Sequence, residues 1–286
     1  MEWLCSTRYW IGAVLIVGLA GSVAAADVQH LKIHVTVQQG EKVQQEQTVD
    51  IYFQGKNLHI KTECTQPEQC ADMIYQSDQK TLYIIQHGRK IVMRITREDV
   101  DQLAQMLAPF IEQMRKMQEQ QKARKGQSAA NGGDWTFKKG KTGMKHGQYT
   151  CTEYTILRGN QKVGTACIAA YADVGLSRET FYGILQEIAS MMEPFTRMMQ
   201  GMDTREDQPP SPLSAIMQGK QPPYDGVPVY QKVTLQGGRV TTSELVSTDT
   251  TAPEDFLQLP KDYRVVSFAE ALGNMMGGKP PGRQQQ

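Results

Sequence analysis

The sequence predicts an α+β fold in which one curved antiparallel sheet receives two Met-rich helices on its concave face. Three patterns predict it. Short runs alternate apolar and polar residues with a period of two, which suits strands with one dry face. Two longer runs carry apolar residues at steps of three and four, the spacing of amphipathic helices. The turns between the short runs are too brief for parallel crossovers, so the strands should pair antiparallel.

Residues 1–26 read as a secretory signal peptide. Arg8 precedes an apolar run from Trp10 to Ala20, and Ala24-Ala25-Ala26 offers a small-residue cleavage site before Asp27. The run is short for a membrane span and no stop-transfer charges follow it. No Cys stands behind it in a lipobox arrangement. The mature chain is therefore expected in the periplasm and not as an integral membrane protein.

From Val28 to Thr62 the pattern is mostly strand. Leu31, Ile33, Val35 and Val37 alternate with His30, Lys32, His34 and Thr36, which places both histidines on the solvent face. Gln39-Gly40-Glu41 turns the chain into a strand through Val49, Ile51 and Phe53, and Gly55-Lys56-Asn57 turns it again before Leu58 to Lys61. Three more short strands follow: Met73 to Tyr75, Thr81 to Ile85 and Lys90 to Met93. Ser77-Asp78-Gln79 and His87-Gly88 turn between them.

The first helix begins at Thr96 with Asp99 as a capping-box variant. Val100, Leu103, Leu107, Phe110, Met114 and Met117 form its stripe, flanked by Met106 and Ile111. Residues 122–133 turn polar, then small, and read as a linker. Trp135, Phe137, Tyr149 and Cys151 restart the sheet. A hairpin from Tyr154 turns at Gly159 and continues through Val163 to Ile168.

The second helix starts at Ser177, a good N-cap, with Glu179 against the positive end of the helix dipole. Phe181, Ile184, Ile188, Met191, Phe195, Met198 and Met202 form one stripe, which Leu185, Met192 and Met199 widen. Pro194 precedes Phe195 as Pro109 precedes Phe110, and each should bend its helix. Residues 203–226 are rich in Pro and charge and read as a flexible linker with a short helical turn at Leu213 to Met217. Closing strands run from Val227 to Leu235 and from Val240 to Ser247, and Phe256, Leu257 and Leu259 then lead into Pro260. A brief turn around Phe268 to Leu272 ends the domain, and residues 273–286 are expected to be disordered. Together these make one domain over 27–272, divided at 27–121, 122–133, 134–202, 203–226 and 227–272. The rival is a pair of independent half-domains.

Cysteine usage agrees with export. Cys5 leaves with the signal, so the mature count is even. Cys64 and Cys70 flank a turn-prone loop, and Cys151 and Cys167 lie equidistant from Gly159, where a hairpin sets them side by side. Two disulfides, Cys64–Cys70 and Cys151–Cys167, are the expected staples.

A net charge of +1 with scattered basic residues excludes nucleic acid as a principal partner. There is no GxSxG elbow, HExxH, P-loop or GxGxxG, so neither an enzyme nor a cofactor is expected. His59, His87 and His146 each stand alone and read as surface residues. Thioethers can bind cuprous ion. The methionines here are interleaved with Phe and Ile on one stripe, and the helices hold no His, which favours core packing or the lining of a lipid-like cavity over copper.

Several blocks resemble an uncharacterised family of exported bacterial proteins. They are Tyr149-Thr150-Cys151-Thr152-Glu153-Tyr154, Gly159-Asn160-Gln161-Lys162-Val163-Gly164 and Cys167-Ile168-Ala169, then Gly226-Val227-Pro228-Val229 leading to Ser243-Glu244-Leu245, and Phe256-Leu257-Gln258-Leu259-Pro260-Lys261-Asp262-Tyr263. Such proteins look like distant relatives of the lipoprotein carriers LolA and LolB. That resemblance implies an incomplete antiparallel barrel closed by helices over an apolar cavity, with a lipid or acyl chain as guest. The paired cysteines Cys151 and Cys167 and the long first helix depart from the pattern.

The cavity would be lined from the first helix by Leu103, Met106, Leu107, Phe110, Ile111 and Met114. The second helix would add Phe181, Ile184, Leu185, Ile188, Met191, Met192, Phe195, Met198 and Met199. The function expected is non-enzymatic carriage of a hydrophobic ligand. The alternative is an envelope interaction or assembly factor in which the stripes serve only as core and a protein partner binds an exposed edge strand or the Pro-rich segment from Gln208 to Pro223.

Overall fold

A computed structural model describes residues 28–64, 70–124, 134–199, 209–210, 215–216 and 223–275. Residues 1–27, where a signal peptide is expected, most of the two expected linkers and the residues beyond Met275 lie outside the described residues. Six strands come first: β1 (Val28–Gln39), β2 (Lys42–Gln54), β3 (Asn57–Cys64), β4 (Ala71–Gln76), β5 (Thr81–Gln86) and β6 (Ile91–Ile95). Helix α1 (Arg97–Arg124) follows, then β7 (Trp135–Lys139), β8 (Met144–His146), β9 (Tyr149–Arg158) and β10 (Gln161–Ala169). Helix α2 (Arg178–Met199) precedes β11 (Val227–Thr234), β12 (Arg239–Asp249), β13 (Arg264–Ser267) and helix α3 (Phe268–Met275).

All thirteen strands join one open, curved sheet in the order β13-β6-β5-β4-β3-β2-β1-β12-β11-β10-β9-β7, with β8 also on β9. Its first six strands form the expected antiparallel meander. The two halves of the chain meet where β1 pairs with β12, from His30 opposite Asp249 to Gln39 opposite Arg239. Gly159, with φ of 58°, takes the left-handed backbone that a tight hairpin between β9 and β10 requires.

Two features differ from the sequence reading. The sheet is not wholly antiparallel, because β13 pairs parallel with β6, Val266 opposite Met93. Residues 256–263 make this connection by crossing the sheet, where Leu257, Leu259 and Tyr263 pack on Ile74, Tyr83, Ile85 and Val92. Where a brief turn was expected at Phe268 to Leu272, an eight-residue helix forms, with the Ser267 hydroxyl accepting the Glu270 N–H at 3.2 Å.

Register defines the two faces. Leu31, Ile51, Ile60, Met73, Ile84, Met93 and Val266 stand opposite one another across seven strands and share the first face. The same face continues through Val35, Ser243, Gln231, Ala166 and Tyr154. There Tyr224, packed against Phe137 and Tyr154, fills a smaller cluster with Ile156 and Val233.

Candidate functional site

The first face of the sheet is an apolar floor, and helix α2 is laid over it. Ser177 caps the helix: its hydroxyl accepts the Thr180 N–H at 3.3 Å and donates to Glu179 at 2.8 Å. The 3.6-residue repeat then brings Phe181, Ile184, Leu185, Ile188 and Met191 into the cluster that holds Leu31, Ile33, Ile51 and Ile60. Met192 and Phe195, partly buried, pack against its rim. The side chains of Met198 and Met199 lie outside the described residues, as does Met202.

Helix α1 starts as expected. Its capping box is closed by the Thr96 N–H on the Asp99 carboxylate at 2.9 Å and the Asp99 N–H on the Thr96 hydroxyl at 3.2 Å. Val100 and Leu103 are buried, and Leu107, Ile111 and Met114 are half-buried. Met106 and Phe110, expected on the cavity wall, are 61% and 54% exposed. The physical reason is that α1 has no buried side chain after Leu103 among those described, so the far edge of its stripe has nothing to pack against.

Polar contacts fix α2 at three points, the first at its start, where Arg178 Nε donates to Asp225 at 2.9 Å. Pro194 has no N–H to give the Ser190 carbonyl one turn back. Arg97 of α1 supplies the missing donor through Nη1, and also lies 3.8 Å from Glu193. One turn earlier, the Glu187 carboxylate accepts from Lys56 Nζ at 2.7 Å, Ser77 Oγ at 2.7 Å and the Tyr75 hydroxyl at 3.0 Å. Burial alone would push this carboxyl up, but the three donors outweigh it and hold it below the usual Glu range. Burial, then the neighbouring Glu187, push the Tyr75 hydroxyl up. A proline inside an apolar helix and a lone acid beside its stripe were the sequence signals for these contacts. Their partners are distant in the chain.

The second face carries the polar groups that the sequence placed in solvent. Asp249, His30, Tyr52, His59, Ile74 and Tyr83 stand in one row across five neighbouring strand pairs. His30 is not a solvent-face residue: Nε2 lies 2.7 Å from Asp50 and Nδ1 3.2 Å from Asp249, with the ring stacked 4.5 Å over Tyr52. Burial opposes its charge, yet the two carboxylates raise its pKa. Asp72 accepts from His87 at 2.8 Å and from the Thr62 N–H at 2.9 Å, with the buried His59 ring 3.9 Å away. Burial would raise this carboxyl; these neighbours bring it down to about 2. His87 reaches the Tyr263 hydroxyl with its other nitrogen at 3.0 Å, tying residues 256–263 to the sheet. No group of three His, Cys, Asp or Glu among the described residues has the geometry to hold a metal ion.

Cys151 and Cys167 form a disulfide across β9 and β10, with Cα atoms 5.4 Å apart. Cys70 is buried and disulfide-bonded, while the side chain of Cys64 lies outside the described residues. Among the described residues no helix is long and apolar enough to cross a membrane.

No family model and no curated protein matches the chain. Solved structures similar to it include an uncharacterized conserved protein from Thermus thermophilus, at 7% identity and a TM-score of 0.39, covering 93% of this chain and 97% of the other. They also include a LolA superfamily protein from Nitrosomonas europaea, at 8% identity and a TM-score of 0.29, covering 89% of this chain and 97% of that one.

Proposed function

We propose that this protein is a non-enzymatic periplasmic carrier that takes up a lipid or acyl chain on the concave side of its sheet, beneath α2. One observation carries the reading: the soft, apolar stripe of α2 covers the apolar row of Leu31, Ile51, Ile60 and Met93 on the sheet. Met191, Met192 and Phe195 at the far end of the stripe can re-pack around a flexible chain, as Met side chains do. A guest enters by displacing this end of α2, which breaks the Arg97 contacts with Ser190 and Glu193, while the capped start stays in place. Each buried methylene contributes about 0.8 kcal/mol, so roughly ten of them supply micromolar affinity.

Titration with a fluorescent fatty-acid probe tests the reading. Saturable uptake is expected, weakened at least tenfold by Met192→Glu, which sets a charge at the rim without touching the fully buried residues. No saturable uptake by the folded protein would overturn it.

A further inference from the structure

Helix α1 has 28 residues, about 42 Å of helix at 1.5 Å per residue, yet among the described side chains the last buried one is Leu103. Beyond that point Met106, Phe110 and Met117 follow at steps of four and seven, so they share one line along the helix. They are 61%, 54% and 49% exposed, while the other large exposed hydrophobics, among them Val43, Met144 and Val246, are scattered over strands. An apolar line of this kind on a water-facing helix calls for a partner.

Charge selects the partner. From residue 112 to 125 the sequence carries five Lys or Arg and two Glu. A second copy of α1 laid against this line would bring basic segment to basic segment, or to a first turn that offers one exposed acid, Glu98, beside Asp99 held by Thr96 and Asp101 held by Arg97. An anionic lipid surface meets both needs at once. Its acyl boundary receives Met and Phe to a depth of about 5–10 Å, and its headgroups attract the basic residues beyond Phe110. We propose that the outer part of α1 docks the protein on an anionic membrane surface through Met106, Phe110 and Met117. This inference does not depend on what occupies the concave face.

Flotation of the mature chain with lipid vesicles tests it, comparing phosphatidylcholine alone with phosphatidylcholine containing about one quarter phosphatidylglycerol. Binding about tenfold stronger to the anionic vesicles is expected, falling as salt is added. Phe110→Ser and Met106→Ser should each reduce that binding several-fold, with far-UV circular dichroism and fatty-acid probe uptake unchanged. Tryptophan emission from Phe110→Trp, read as the vesicle-induced change relative to wild type, should shift to the blue. Equal binding to both vesicles, indifference to Phe110→Ser, or a solution dimer that Phe110→Ser dissolves would each overturn the proposal.

Discussion

Ile184→Ala separates the two helical stripes that look alike in the sequence. Ile184 is fully buried in the cluster under α2, so the change removes apolar contacts and leaves a cavity. Buried Ile→Ala changes cost about 2–5 kcal/mol. In a chain of this size each kcal/mol lowers the melting temperature by about 2–4 °C, so a fall of roughly 5–15 °C is expected. Met106→Ala is the matched control, because Met106 is 61% exposed and its loss should stay within about 0.5 kcal/mol. Urea unfolding followed by circular dichroism reads both. Equal costs for the two variants, or a neutral Ile184→Ala, would show that α2 is not packed on the sheet as described.

The second face makes stability depend on pH in two windows. His30 has a raised pKa, so its pairs with Asp50 and Asp249 stabilise fully below about pH 6.5 and the gain is lost as pH rises through the raised value. Unfolding midpoints of His30→Gln should not show that loss between neutral and mildly alkaline pH. Asp72 has a lowered pKa, about 2, so it stabilises above the ordinary Asp range and that gain disappears as the solution is acidified toward pH 2. Asp72→Asn should cost about 2 kcal/mol at pH 7 in urea unfolding and flatten the acid limb. A Cβ at Gly164 would lie 2.3 Å from the Lys232 carbonyl oxygen. Gly164→Ala should therefore part β10 from β11 and cost about 1–3 kcal/mol, seen as faster amide exchange in both strands. Replacing Cys151 and Cys167 together with Ser should cost about 3 kcal/mol, the entropy of freeing a loop of that length, measured against the wild type without reductant.

Local chemistry was legible in the sequence where it is written locally. The alternation from Leu31 to Val37, the caps at Thr96 and Ser177, and the hairpin that joins Cys151 to Cys167 each depend on residues close in the chain. Long-range pairing was not legible. Nothing in Arg264 to Ser267 says that this strand lies parallel to β6, because four residues of alternation fit either direction. Histidine on a strand face reads as solvent-facing until a later segment covers it, as Phe256 covers Tyr52 beside His30. Likewise, periodicity marks the apolar side of a helix without telling what lies against it. Ile184 and Phe110 therefore read alike, although one is sealed and the other is in water.

Carriage is tested most directly by native mass spectrometry of the mature chain, isolated without detergent. It predicts a population heavier than the polypeptide by the mass of a lipid or fatty acid, which denaturation releases and which Met192→Glu diminishes. A chain that always leaves the cell at its bare mass, and gains none after incubation with fatty acid, would contradict it.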